Sequence, residues 1–417
     1  MARNSNEKLA EINQDAVRLA RSINLLGPLS WESDLETSFL YSWEKKSPVL
    51  PKPFFKSADH KETRDALLKI SKSLSESDPK ELFTKKTIDS YIDATILIDA
   101  AGTDSFQELS IAMFGKPGNI MPGSTTTGLD IAKNMLRVGR KFDHPFVKEP
   151  EICISAQIIA EDLTEGISML GQDAPEIRIV PGFPSKAAAG VSTITLRGGT
   201  SFSKYDSLQL LVHEAMTHSL TAINGSKQPI LSMMGRGAPR TTETQEGLAT
   251  FAEVITGAID LKRLIRIALR VVAVDRALSG ANFIETFQFF VDNGQSPKES
   301  FWSAARIFRG GNPAGGVVFT KDSVYLDGLL NVSAFFQWAL LNNRQSLIHL
   351  LFCGRVALED VFLLESCLEK GELAQPLYLP NWYQDIEKLA ANLAMSVLYT
   401  LIDTNSLAKH FDSWENS

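Results

Sequence analysis

Cysteine is scarce in this chain: Cys153, Cys353 and Cys367 are the three among 417 residues, set in apolar stretches at no metal-ligand spacing. An odd count excludes a framework of paired disulfides and reads as buried thiols in a reducing compartment. Long apolar runs are missing too. No uncharged stretch approaches the roughly 20 residues that a bilayer requires, and the N-terminal MARNSNEKLAEINQDAVRLA lacks the apolar segment of a secretory leader. The expectation is a cytoplasmic protein without a membrane partner. There is also no dense Lys/Arg stripe, the 42 basic residues being outnumbered by 49 acidic ones for a formal charge of -7. Nucleic acid is therefore not an expected partner. Internal repeats and low-complexity tracts are absent, and nothing in the pattern specifies an oligomeric state.

What the chain does have is enough apolar sequence, 44%, to bury at least one sizeable core. Helical spacing dominates. Leu9, Ile12, Ala16, Leu19, Ala20 and Ile23 share one face, and Leu67, Leu68, Ile70 and Leu74 begin another. LPKPFFKS between them reads as extended. Thr87 to Met113 holds one or two further helices, and His60, His144, His349 and His410 stand without partners, as surface, loop, core or tail residues. Residues 1–114 are thus a helical region. Gly115 to Gly128, GKPGNIMPGSTTTG, concentrates turn formers and marks a linker or loop (115–128), leaving 129–417 as one larger domain.

Within that domain, helices are expected from Leu129 to Val138 and from Ala156 to Leu170, the second capped by Ser155. EIRIV (Glu176 to Val180) and VSTITLR (Val191 to Arg197) alternate and are rich in β-branched residues, so they read as two strands separated by the small residues SKAAAG. Ser203 with Asp206 has the spacing of a capping box ahead of LQLLVHEAMTHSL. Thr242 with Gln245 repeats it ahead of QEGLATFAEVITGAI. Helical patterns then continue over Leu261 to Leu278, Asn282 to Asn293, Pro297 to Phe308, KDSVYLDGLLNVSAFFQWALL and the tail from Leu347 to Ala408. The fold class implied is α+β, mainly α-helical, with a small sheet.

The motif helix carries His213, Glu214 and His218 in the order H-E-x-x-x-H. Catalytic zinc typically takes three protein ligands, histidine nitrogens and a carboxylate, and leaves a fourth position to water. His213 and His218 are the candidate ligands, with Glu214 the carboxylate that takes the water's proton. The short motif of most zincins places its histidines four apart on one helical face. Five steps of about 100° leave them roughly 140° apart on a regular α-helix, too far round to share an ion. The motif therefore predicts either a π-type turn or a helix that unwinds just before His218. Glu246, in the first turn of the next helix, is the candidate third ligand, and Gly247 beside it permits close approach. Glu253, two turns on, faces a similar way, but is read as part of a solvated face rather than a histidine's partner. The competing reading of His213 and His218 is as satisfied histidines on a helix surface.

HEAMTH, TQEGLA and the later KDSVYLDGLL together resemble the QEGLA-motif family, bacterial members of which are labelled flavohaemoglobin expression modulators, and the related eukaryotic tubulin tyrosine carboxypeptidases. The resemblance runs from about Ser155 to Leu340. It implies a zincin-like metallopeptidase core, with Zn2+ held by His213, His218 and Glu246, Glu214 as general base, and the C-terminus of a peptide or protein as substrate. A carboxypeptidase must also hold a terminal carboxylate and an oxyanion. Arg306, Arg309, Lys321 and Tyr325 cluster around RGGNPAGG, and one of the basic residues is expected to anchor the carboxylate while Tyr325 assists the oxyanion. Otherwise the arginines are solvated and Tyr325 is core. RGGNPAGG itself reads as a flexible lid rather than a phosphate loop. VSTITLR precedes the motif helix as the peptide-holding edge strand of a zincin does. Two rivals stand beside this reading: an aminopeptidase or endopeptidase with the same centre, and a regulatory protein whose metal site is structural or absent.

Overall fold

Helical spacing in the first hundred residues is realised as α1 (Ser5–Ala20), α2 (Asp34–Glu44), α3 (Lys61–Lys72), α4 (Pro79–Asp99) and α5 (Ser105–Phe114). These come from a computed structural model that describes residues 5–55, 59–121, 123–142, 152–183 and 185–399. His144 and His410 lie outside the described residues. His60 is buried rather than at the surface, because it opens α3, which packs against α1 and α4, while Asp59 and Lys61 reach solvent. Of the cysteines, Cys353 and Cys367 are buried as expected, whereas Cys153 is exposed in the extended approach to a bridge between Ile154 and Phe202.

The turn-rich stretch after α5 closes on itself through a bridge between Ile120 and Thr127. It leads into α6 (Gly128–Lys141), whose Thr127 and Asp130 form a reciprocal capping box. α7 (Ala156–Gly166) starts where Ser155 accepts the Ile158 N–H at 3.3 Å. The sheet has three strands, not two: β1 (Glu176–Pro181), β2 (Ala187–Ala189) and β3 (Thr193–Gly198), in the order β1-β3-β2. β3 runs parallel to β1 and antiparallel to β2, with Ile194 and Leu196 buried. The strand expected at the edge is therefore central, and the run of alanines read as a separator takes the edge beside the motif helix.

The motif helix is continuous but wound in two ways. α8 (Asp206–Leu210) begins with the Asp206 carboxylate accepting the Ser203 N–H at 2.6 Å. Leu211–Ser219 is π-wound, and α9 (Leu220–Ser226) returns to α geometry. Next come α10 (Thr242–Thr256), ended by Gly257 at φ 72°, and α11 (Leu261–Leu278), capped by Asp260. Gln245 does not cap α10; its side-chain oxygen accepts from Thr221 across the helix pair at 3.0 Å. α12 (Phe283–Asp292) and α13 (Pro297–Ile307) each begin with a full capping box. α14 (Val324–Leu341) follows, then α15 (Gln345–Phe352), α16 (Asp360–Glu369), α17 (Asn381–Gln384) and α18 (Ile386–Tyr399). Thr320–Leu341 is long and apolar enough to cross a membrane by length and composition, with half of that window buried inside the protein.

The largest apolar cluster joins α1, α3, α4, the sheet, the motif helix, α10 and the helices from α14 onward. A second gathers α2, α6 and α11 to α13 around Phe39, Phe283, Phe287 and Phe301. Residues 1–114 feed both, as well as a smaller cluster of Leu29, Leu97, Phe106, Phe114 and Phe319. α10 and α14 pack backbone to backbone, because glycines meet where they cross. A Cβ on Gly247 would lie 2.3 Å from the carbonyl carbon and oxygen of Gly328, and one on Gly328 only 2.2 Å from the Glu243 oxygen. Gly247→Ala should therefore force the helices apart and cost about 1–3 kcal/mol or more in urea denaturation. A variant as stable as the wild type would contradict the contact.

Candidate metal centre

The motif helix, α10, α11 and the start of α14 meet where the first two apolar clusters adjoin, and each contributes charged groups to one half-buried site. The π winding decides its geometry. With hydrogen bonds spanning five residues instead of four, positions 213 and 218 return to one face, as the Thr217 hydroxyl reaching back to the Val212 carbonyl at 2.8 Å illustrates. The His213 and His218 rings stand at 88° to each other with centroids 4.8 Å apart. Their Nε2 atoms lie 3.5 Å and 3.9 Å from Oε2 of Glu246. One donor atom from each of the three residues falls within 4.8 Å of the others.

Glu253 is not on a solvated face. It is fully buried and accepts His213 Nδ1 at 2.7 Å, Gln209 Nε2 at 3.1 Å, and a two-pronged contact from Arg263 at 3.0 and 3.1 Å. Burial opposes its charge, yet Arg263 and His213 bring its carboxyl down to about 2. An ionised carboxylate only accepts, so the imidazole hydrogen between them sits on Nδ1, and Nε2 faces Glu246. This is the outer carboxylate that orients a ligating histidine in many metal sites.

Burial also disfavours charge on His213, but Glu246 and Glu253 on either side raise it to about 10. His218 is pushed down to about 3, by burial and then by the charge on His213. Glu246, which burial alone would raise, is held well below the usual carboxylate range by Lys321 and the two histidines. Two imidazoles and an ionised carboxylate converge, with a proton drawn into the space between acids where a divalent cation would balance the same charge. The donor set fits zinc. Glu214 is half-buried and has no hydrogen-bond partner among the described residues; burial, then Glu246, raise its carboxyl.

The basic residues divide differently from the expectation. Lys321 is at the site, its Nζ 3.5 Å from Oε1 of Glu246 and 5.4 Å from the Tyr325 ring centre. Arg306 is neither solvated nor available as an anchor, because buried Asp322 takes its Nε and Nη2 at 2.7 and 2.5 Å. Arg309 is half-buried with no hydrogen-bond or ion-pair partner among the described residues, and burial lowers it to about 10. Tyr325 lies under Arg270, whose guanidinium is 5.3 Å from the ring centre and whose Nε is 3.9 Å from the Asp322 carboxylate. Arg263, Arg266 and Arg270 were not anticipated. They stand at i, i+3 and i+7 along one face of α11 amid apolar residues, and that periodicity of charge was the available signal. RGGNPAGG is no lid: Gly310 accepts from Gly102, Pro313 accepts from Phe283, and Asn312 bridges to Val317.

Residues 37–400 match the sequence model of a family described as microtubule-associated tyrosine carboxypeptidase. Microtubule-associated tyrosine carboxypeptidase 1 of Rattus norvegicus is 28% identical over 206 residues, 48% of this chain and 41% of that protein. The putative tyrosine carboxypeptidase MATCAP2 of Mus musculus is 31% identical over 186 residues, covering 43% of this chain and 34% of the relative. The match thus spans about two fifths or less of the length of these curated relatives.

Proposed function

The chain belongs to the microtubule-associated tyrosine carboxypeptidase family, and we propose that it is a zinc-dependent carboxypeptidase that removes a C-terminal residue, tyrosine first among the candidates, from a peptide or protein. The observation that carries the zinc reading is the π-wound stretch that brings His213 and His218 to the same oxygen of Glu246. His213, His218 and Glu246 would hold the ion. Bound zinc supplies Lewis acidity toward the scissile carbonyl and lowers the pKa of water at the site.

The chain's own groups supply the rest. Glu214, with no competing partner, accepts the proton of the attacking water at its carboxylate and returns it to the leaving amine. Lys321, 3.5 Å from Oε1 of Glu246, and Tyr325, whose ring centre is 5.4 Å from the Lys321 ammonium, are the candidates to stabilise the developing oxyanion. Arg309, with no hydrogen-bond or ion-pair partner among the described residues, is the candidate for the terminal carboxylate, a role that Asp322 opposes in Arg306 at 2.7 Å and in Arg270 at 3.9 Å. The edge strand β2 beside the motif helix, together with a glutamate ligand from the following helix, supports a zincin-like reading of the core.

Metal analysis should find about one zinc per chain in the wild type and none in His213→Ala or Glu246→Ala, since each removes one of three ligands. The wild type should release tyrosine from peptides with a free C-terminus and leave their C-terminal amides intact. Retention of metal by both variants would refute the ligand set, and equal cleavage of the amides would shift the reading to an endopeptidase. Cleavage that instead requires a free N-terminus would indicate an aminopeptidase.

A further inference from the structure

The π winding that makes the site is the less favourable way to wind a helix, and a slip back to α geometry would leave His218 roughly 140° around the axis from His213. Something must oppose that slip. A group far along the chain from the motif helix touches the stretch at the needed place. Nη2 of Arg355 donates to the His218 carbonyl at 3.0 Å and approaches the Ala189 carbonyl of β2 at 3.5 Å. His218 is the next-to-last residue of the π-wound stretch, and the Thr221 hydroxyl also donates to its carbonyl at 3.3 Å.

Arg355 reaches this carbonyl from a rigid base. Its own N–H donates to the Met234 carbonyl at 2.7 Å. Asn224 and Gln228 donate to the Phe352 and Cys353 carbonyls just before it. Gly225, Met234 and Gly354 stack backbone on backbone, a Cβ on Gly225 lying 2.2 Å from the Met234 carbonyl and one on Gly354 2.5 Å from the Met234 Cβ. The base of the arginine is therefore fixed to α9, two turns beyond His218, while its head reaches back to His218 and across to the sheet. Gly237 lines the guanidinium's path: a Cβ there would come 2.9 Å from Nη1, and Tyr91 holds the Gly237 carbonyl at 2.7 Å. Burial disfavours the arginine's charge, and its Nε has no hydrogen-bond partner among the described residues, so packing alone gives no reason for an arginine here.

We propose that Arg355 is a positioning residue of the metal site, bracing the His218 carbonyl against β2 and thereby holding the winding that keeps His218 beside His213 and Glu246. This rests on the reading of those three residues as metal ligands. Cobalt(II) added to the metal-free full chain tests it, because the visible absorption of cobalt reports ligand number and geometry. The wild type should bind cobalt with an intense visible band, and His213→Ala should abolish it. Arg355→Ala should weaken binding about tenfold or more and change the band, in line with the usual cost of losing an outer support. Arg355→Lys should recover part of both, since an ammonium can still donate to the carbonyl. Gly237→Ala displaces the guanidinium without deleting it, and should show the same altered band even if Arg355→Ala does not fold. If the wild type binds no cobalt, the ligand reading falls and this inference with it. If His213→Ala abolishes binding while Gly237→Ala and the folded Arg355 variants match the wild type in affinity and spectrum, the brace is refuted and the ligands stand.

Discussion

Glu214→Gln is expected to keep wild-type metal content while reducing peptide hydrolysis about 10²- to 10⁴-fold, the usual contribution of a general base. Glutamine has nearly the same shape and leaves His213, His218 and Glu246 in place, but its amide cannot take a proton from water. Glu214 is half-buried and makes no hydrogen bond among the described residues, so little structure depends on its charge. Burial raises its carboxyl, so the neutral amide relieves a desolvated group and the melting temperature should hold or rise slightly. Full activity with zinc bound would remove Glu214 from the mechanism, whereas loss of zinc would make it a ligand.

The second large effect is expected at Glu253, where structure and function coincide. Glu253→Ala strands a buried Arg263 guanidinium, the Gln209 amide and the Nδ1–H of His213 at once. Breaking a buried pair in this way costs about 3–5 kcal/mol, and losing the carboxylate behind a ligating histidine costs about 10- to 100-fold in metal affinity. Urea denaturation and competition with a zinc chelator measure the two separately. Glu253→Leu with Arg263→Met, which removes both charges, should recover most of the stability and none of the affinity. Recovery of both would show that the carboxylate serves packing and not the histidine.

Much of the framework was legible because it is local. Leu261–Leu278 and the Ser155 cap follow from spacing and cap chemistry alone, and those elements form where expected. The winding of the motif helix was legible for a different reason: histidines five apart cannot share an ion on a regular α-helix, so the spacing calls for a π-type turn or an unwound helix, and the chain takes the first. What escaped was long-range. Ala187–Ala189 has no strand propensity and becomes β2 only by pairing with β3. Glu253 lies on the same face as Glu246, but its burial is decided by Arg263 and Gln209 arriving from other helices. Arg306 gave no sign of its pairing with Asp322, and Arg355 stands 137 residues from the carbonyl it meets.

The glycine crossing of α10 and α14 has a consequence for how this protein can vary. Where helices touch through side chains, each substitution in the interface resets their separation, because a bulkier or smaller rotamer is absorbed by a shift. Gly247 and Gly328 leave no side chain to exchange, so the spacing at the crossing is set by main-chain atoms in contact. Glu246 is the residue before Gly247, and Tyr325 is one turn before Gly328. The distance between the carboxylate and the aromatic ring is thereby insulated from drift in the surrounding apolar shell. Leu248, Phe251, Leu329 and Phe336 are free to exchange volume with their neighbours at a cost in stability, while the working geometry stays where the two backbones pin it.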